Sequence, residues 1–278
     1  MNARPAPNPL VAPAAGRPLM NKEPKTAVIT GASRGIGRAF AYRLASEGIN
    51  LVVLARSAPE LESMAKDLKD RYSVEVTARV ADLSDDRDVA GIEDFLRVLR
   101  VDLMINNAGF GTVGHFADVA VDSHLQMVNL HVRSPLRLTH AVLPGMIRRK
   151  GGVVINVCSV NAFLPGHVTY SATKSFLLMF SQALAGELKG TGVRVQALCP
   201  GFTRTAFHDA PDLQKIRERV PSLLWTSPEV VVDSSLAALA KGQVICIPRL
   251  TYRLIVAAYR NPVTRLLMQL GNRFGPGG

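Results

Sequence analysis

Apolar and polar positions follow two periods along this chain, and the periods take turns. Thr26–Thr30 is a short β-rich run that leads into glycines. Ile36 to Glu47 then has helical spacing, and Gly48 stops it. Asn50–Arg56 is nearly all aliphatic, as a strand buried on both faces should be. Pro59–Lys69 places Leu61, Met64, Ala65 and Leu68 on one helical face. Ser73–Leu83 holds a strand, and Ser84–Leu99 a helix that Ser84 would cap. Asp102–Asn106, Gly152–Cys158, Val193–Cys199 and Val244–Pro248 read as further strands, while Asp122–Arg149 and His167 to Lys189 read as long helices. Strands alternating with helices imply right-handed crossovers and a parallel sheet covered on both faces. The pattern predicts a single α/β domain over residues 25–249, a doubly wound Rossmann-type sheet of about seven strands with helices on both faces.

The ends differ from this core. Residues 1–24 are rich in Pro, Ala and Asn, and Pro9, Pro13 and Arg17 interrupt every apolar run, so a disordered arm is expected instead of a signal peptide. From Lys241 onward there are six Lys or Arg residues and no acids. Leu250–Arg260 is apolar with arginines near its ends, and Asn261-Pro262 reads as the start of a second helix carrying Leu266, Leu267 and Leu270. This basic, apolar tail over 250–278 suits packing over the domain or a partner subunit, or weak contact of 250–270 with an anionic membrane surface. Packing is the favoured reading.

Composition narrows the classes. The chain has 278 residues, of which 47% are hydrophobic and 20% charged, ample for one large core and unlike a disordered protein. The formal charge of +11 raises nucleic acid as a partner, but no basic cluster is interleaved with aromatics, so nucleic acid is not expected. Cys158, Cys199 and Cys246 form no CxxC pair, and their odd number fits reduced, buried thiols in a cytoplasmic protein. The six histidines show no ligand spacing, so no metal site is expected. No run reaches the roughly 20 apolar residues of a membrane span.

The first strand runs directly into TGASRGIG, with Gly31, Gly35 and Gly37 between strand and helix. Glycine permits a sharp turn and close backbone approach, and the helix N-terminus presents free N–H groups to a pyrophosphate. On the first strand of a doubly wound sheet this is a dinucleotide site, with Ser33, Arg34 and Ile36 in the same turn. NAD-specific sites place an acid after the second strand, but this strand ends Leu54-Ala55-Arg56. Arg34 and Arg56 suit a 2′-phosphate, at about 1.5–3 kcal/mol per charge-assisted bond, so NADP(H) is expected over NAD(H).

YSATK places Tyr170 and Lys174 four residues apart at the start of a helix, on one face. A free phenol, with a pKa of about 10, is a poor acid–base catalyst at neutral pH, and a nearby ammonium should lower that pKa. Taken alone such a pair is usually a surface pair. It gains weight from Ser159, at the carboxyl edge of the preceding strand, where ligands bind in open α/β sheets.

These residues occur in a familiar order: TGASRGIG, NNAG at Asn106–Gly109, Asn129, Ser159, YSATK, and PG at Pro200–Gly201. Over roughly residues 25 to 250 the chain resembles the single-domain short-chain dehydrogenase/reductase family. The resemblance implies an oxidoreductase moving a hydride between NADPH and a carbonyl or alcohol. It implies Gly31, Gly35 and Gly37 at the pyrophosphate, Arg34 and Arg56 at the 2′-phosphate, and Asp82 and Leu83 at the adenine. Asn107, Ala108 and Gly109 would line the cofactor and brace the sheet. Tyr170 would be the acid–base, Lys174 would hold the nicotinamide ribose, and Ser159 would polarise the carbonyl. Asn129 would position a relay water, and Thr203, after Pro200 and Gly201, would bind the carboxamide. The Ser159–Tyr170 segment is slightly shorter than is common in the family, which implies a tighter loop over the substrate. His167 lies in that loop, where a lone histidine is more often incidental. The lid over 202–226, with Phe202, Phe207, Leu223, Leu224 and Trp225, suits either an apolar carbonyl substrate or plain packing. The family also implies a homodimer or homotetramer assembled through the two long helices.

Overall fold

The computed structural model describes residues 25–112, 114–164, 166–205 and 220–261. The arm over 1–24, Phe207 in the lid, and the second tail helix with Leu266, Leu267 and Leu270 lie outside these residues. Seven strands form one parallel sheet: β1 (Thr26–Thr30), β2 (Asn50–Ala55), β3 (Val76–Val80), β4 (Leu103–Asn106), β5 (Gly152–Val157), β6 (Val193–Leu198) and β7 (Ile245–Cys246). Their spatial order is β3-β2-β1-β4-β5-β6-β7, so the chain reverses direction across the sheet between β1 and β4. Such a reversal opens a crevice at the carboxyl ends of the strands.

Alternation within each strand feeds two cores. Val52, Val28, Met104 and Val154 lie in one row across the sheet, and Val53, Ile29, Ile105 and Ile155 in the next. The first row packs on α3 (Asp86–Val98), α5 (Ser134–Arg148) and α6 (Val168–Glu187) through Leu96, Leu138 and Leu184. The second packs on α1 (Gly35–Ala45), α2 (Ala58–Tyr72) and α7 (Pro228–Ala240) through Phe40, Leu61 and Leu236. Successive strand residues point to opposite faces, so both faces must be covered by helices.

Three expectations need correction. Ser84 does not cap α3: the Asp85 carboxylate accepts from the N–H groups of Arg87 and Asp88, and the Ser84 hydroxyl donates instead to Asp82. A carboxylate at a helix N-terminus also gains from the helix dipole, which a hydroxyl does not. The long helix expected over Asp122–Arg149 is interrupted. α4 (Val121–Val128) passes through a π-helical turn, Asn129–Arg133, before α5 begins. The last strand is reduced to Ile245–Cys246.

The last helix among the described residues, α8 (Leu250–Arg260), packs on the domain through Tyr252 and Val256, against Val160, Phe163, Phe202 and Leu224. Its Leu250 and Leu254 remain exposed. Among the described residues no helix is long and apolar enough to cross a membrane.

Candidate active site

The turn after β1 is built for close backbone approach. Gly31 and Gly35 have φ of +64° and +54°, which side-chain-bearing residues rarely adopt. A Cβ on Gly37 would collide with the carbonyl oxygen of Gly31, so α1 packs directly on the turn. The N-terminus of α1 has neither a side-chain cap nor an acid in its first turn. Its N–H groups and positive dipole end are therefore left for an anion. Ser33 is half-buried in the turn, and Ile36 packs into the core below it.

Arg34 and Arg56 are both exposed beside this turn. Arg34 forms an ion pair of 2.6 Å with Glu60, in the first turn of α2, an interaction that the sequence did not suggest. Asp82 accepts from the N–H and hydroxyl of Ser84, and burial opposes its ionisation while these bonds and the Arg56 guanidinium lower its pKa. Leu83 is buried. Asn107 joins the end of β1 to the loop after β4, donating from Nδ2 to the carbonyls of Thr30 and Gly31. The N–H groups of Asn107 and Ala108 both donate to Thr30 Oγ1.

Ser159, Tyr170 and Lys174 meet at the carboxyl edge of β5. Ser159 follows that strand, and its Oγ accepts from the N–H of Asn161. It also hydrogen-bonds to Tyr170. Lys174 is buried, with Nζ donating to the Val157 carbonyl at 2.9 Å and lying 5.7 Å from the centre of the Tyr170 ring. Ser171 is not part of this cluster. Its buried Oγ faces Gly166. His167 precedes the first turn of α6 and is exposed.

The expected lowering of the Tyr170 pKa by Lys174 is not found. Burial pushes the phenol up to about 12, and the Ser159 hydrogen bond only partly offsets this. Burial likewise brings Lys174 down to about 8, despite opposing effects of Cys158 and Cys199. For Tyr170 the loss of solvation of the phenolate is the largest effect, and it sets the direction of the shift. The three cysteines are free and buried.

Asn129 opens the π turn, an irregularity frequent at functional sites. Its Nδ2 donates to the Ser84 carbonyl, and its Oδ1 accepts from Arg133. Among the described hydrogen bonds none joins it to Lys174. Pro200 is buried, and its carbonyl accepts from the Val160 N–H. A Cβ on Gly201 would run into the Tyr252 ring, and buried Thr203 donates to the Gly201 carbonyl.

Two features were missed in the sequence. His131, two residues after Asn129, is fully buried with its ring edge-on to Tyr170 at 5.7 Å. Tyr252 and Arg249 hold both ends of the lid. The Tyr252 hydroxyl accepts from the Phe202 N–H and donates to the Leu224 carbonyl, while Arg249 donates to the carbonyls of Leu223 and Trp225. A separate cavity of about 480 Å³ lies at the opposite, amino edge of the sheet, lined by Arg97, Arg100, Arg148 and Arg149. There Arg149 bonds the Val101 carbonyl and Arg100 pairs with Asp102, so these arginines serve the ends of α3 and α5.

Comparison with known proteins identifies the family. The short chain dehydrogenase family model matches residues 25–215. The chain is 34% identical over 216 residues to the very-long-chain 3-oxoacyl-CoA reductase of Homo sapiens, covering 76% of this chain and 67% of that one. It is 33% identical over 193 residues to the inactive hydroxysteroid dehydrogenase-like protein 1 of Homo sapiens, covering 68% of this chain and 58% of that one. The chain thus spans two thirds or less of the length of these curated relatives. A solved short-chain dehydrogenase from Sphingobium yanoikuyae, in complex with NADPH, superposes with a TM-score of 0.78 at 32% identity, covering 91% of this chain and 97% of that one. This chain belongs to the short-chain dehydrogenase/reductase family, a family of oxidoreductases that also holds a relative named inactive.

Proposed function

We propose that the chain is an NADP(H)-dependent carbonyl reductase or alcohol dehydrogenase for an apolar substrate, with Tyr170 as its acid–base. The observation that carries this reading is the Ser159–Tyr170 hydrogen bond beside buried Lys174, at the crevice that the glycine turn also faces. The cofactor fits the residues present. Gly31, Ser33, Arg34, Gly35, Ile36 and Gly37 would hold its pyrophosphate at the uncapped α1 N-terminus, with Arg34 and Arg56 at the 2′-phosphate. Asp82 and Leu83 would meet the adenine. Asn107, Ala108, Gly109, Lys174 and Tyr170 would meet the nicotinamide ribose side, and Pro200, Gly201 and Thr203 the carboxamide side.

The bound nicotinamide would supply the hydride. Tyr170 holds a proton at Oη, in a phenol that burial keeps protonated across the neutral range, and passes it to the carbonyl oxygen as negative charge develops there. Ser159 donates a hydrogen bond to the same oxygen. In the reverse direction Tyr170 accepts the alcohol proton. Asn129 would hold a water for reprotonation.

Phe202 packs against Trp225, with ring centres 5.4 Å apart, and Phe163, Val160 and Leu224 extend the apolar surface near Ser159. This supports an apolar carbonyl, the class to which a 3-oxoacyl chain belongs. Exposed Leu125, Leu136 and Met179 on α4, α5 and α6 support self-association through those helices. The free thiols suit a reducing compartment such as the cytoplasm.

A second reading, cofactor binding without turnover, is favoured by the relative named inactive. NADPH oxidation with benzaldehyde, acetophenone and acetoacetyl-CoA as probes separates the two. Turnover of at least one supports the reductase. NADPH binding without turnover of any carbonyl across a wider panel of aldehydes, ketones and 3-oxoacyl thioesters supports the silent site.

A further inference from the structure

His131 makes a hydrogen bond from each ring nitrogen, and the partners fix its protonation. The backbone N–H of Phe110, which can only donate, points at Nε2 at 3.1 Å. Nε2 is therefore the acceptor, and a neutral ring must carry its proton on Nδ1. Nδ1 lies 3.0 Å from Thr173 Oγ1, whose own hydrogen goes to the Tyr170 carbonyl at 2.9 Å. The chain of bonds is complete and has one direction: Phe110 N–H to His131, His131 to Thr173, Thr173 to the backbone of Tyr170. It joins the Asn106–Phe110 loop to the first turn of α6.

The surroundings leave the ring little freedom. His131 is fully buried, and Thr173 nearly so. The imidazole stands at 78° to the Tyr170 ring. A Cβ on Gly109 would come within 2.8 Å of His131 Nε2 and 3.6 Å of Lys174 Nζ, so histidine, glycine and lysine share one small space. Protonation of Nε2 would lose the Phe110 bond and place a second cation beside Lys174. Burial and the Lys174 charge hold the imidazole well below its usual pKa, in agreement with the geometry.

We propose that His131 is a positioning residue for the Tyr170–Lys174 pair, a neutral Nδ1-protonated imidazole that locks the cofactor-side loop to the helix carrying both side chains. It touches neither substrate nor proton in flight; it acts through Thr173 and the Tyr170 backbone. The proposal rests on the reading of Tyr170 as the acid–base.

The test uses the full chain with NADPH and whichever of benzaldehyde, acetophenone and acetoacetyl-CoA it reduces fastest. It compares His131→Phe, His131→Gln and Thr173→Val, with Tyr170→Phe as a control. His131→Phe keeps a ring and removes both hydrogen bonds. Misplacement of this kind should lower kcat by about 10- to 100-fold while the NADPH Kd stays within about threefold. His131→Gln, with one acceptor and one donor, should recover part of the loss. The double variant His131→Phe/Thr173→Val should lose no more than His131→Phe alone, because both break one chain.

Imidazole nitrogen-15 NMR of the cofactor-free chain gives a readout independent of turnover. The resonances absent from His131→Phe should report a neutral Nδ1-protonated ring, unchanged from about pH 8 to about pH 5. An Nε2-protonated or cationic ring overturns the proposal. So does a kcat within about twofold of wild type in both His131→Phe and Thr173→Val. If His131→Phe does not fold, Thr173→Val keeps the ring and carries the kinetic test. Normal turnover by Tyr170→Phe would instead sink the acid–base reading, and the NMR signature would still decide the state of His131.

Discussion

The Lys174 ammonium donates to the carbonyl of Val157, the last residue of β5, at 2.9 Å. This bond ties the second turn of α6 to the sheet edge, and it leaves a desolvated charge there. Lys174 titrates near 8 in the folded chain against 10.5 for the free side chain. Between those values the unfolded chain binds more protons, so this group makes stability rise with pH across that window. Below about pH 8 the folded protein carries the full penalty, at most about 3 kcal/mol for a shift of this size. Lys174→Met should make the cofactor-free protein at least as stable at pH 7 and remove its share of the rise toward about pH 9.5. Urea unfolding at both pH values checks this; identical pH dependence in both proteins would contradict it.

Tyr252→Phe tests the hold of α8 on the lid. The substitution strands the Phe202 N–H and the Leu224 carbonyl while leaving the ring in place. Loss of a buried hydrogen bond of this kind costs about 1–3 kcal/mol. A lower denaturation midpoint is expected, with a KM for the carbonyl raised several-fold and little change in NADPH affinity. An unchanged carbonyl KM would separate α8 from the substrate side.

Gly37→Ala tests the phosphate turn. The added methyl would overlap the backbone carbonyl of Gly31 and crowd the Asn107 side-chain amide, which is hydrogen-bonded to the Thr30 and Gly31 carbonyls. Overpacking costs typically about 1–3 kcal/mol. NADPH affinity should fall by about tenfold or more, since 1.4 kcal/mol corresponds to a factor of ten. Fluorescence titration with NADPH measures it, and retained affinity would remove this turn from the cofactor site.

Arg56→Asp tests the choice of cofactor. An acid at the end of β2 suits a ribose 2′-hydroxyl and repels a 2′-phosphate. The ratio of NADPH to NADH efficiency should fall by about a hundredfold, in line with one lost charge-assisted bond and one new repulsion. No shift would leave Arg34, paired with Glu60, to carry the selectivity by itself or refute it.

Much of the fold was legible because parallel strands buried on both faces leave near-continuous aliphatic runs, such as Asn50–Ala55 and Gly152–Val157. Details that depend on competition between neighbours were not. Ser84 and Asp85 are both good caps, and only the structure shows that Asp85 takes the N–H groups. The π turn at Asn129 has no composition that marks it. At the site, the YSATK spacing placed Tyr170 and Lys174 together, but the sign of the phenol's shift depends on desolvation, which spacing does not carry. His131 was invisible for a different reason. Its partners, Phe110 and Thr173, lie 21 and 42 residues away, and a lone histidine has no local pattern to betray it.

In the proposed reaction Tyr170 moves the proton at a site which binds NADPH. Tyr170→Phe removes one oxygen and leaves the ring against His131 and Lys174. The direct measurement is carbonyl-dependent NADPH oxidation by this variant, alongside its NADPH Kd. The expected result is a kcat reduced by at least about a thousandfold with Kd unchanged within a few-fold, the pattern of a group that acts only in the transition state. Turnover near that of the wild-type chain would contradict it.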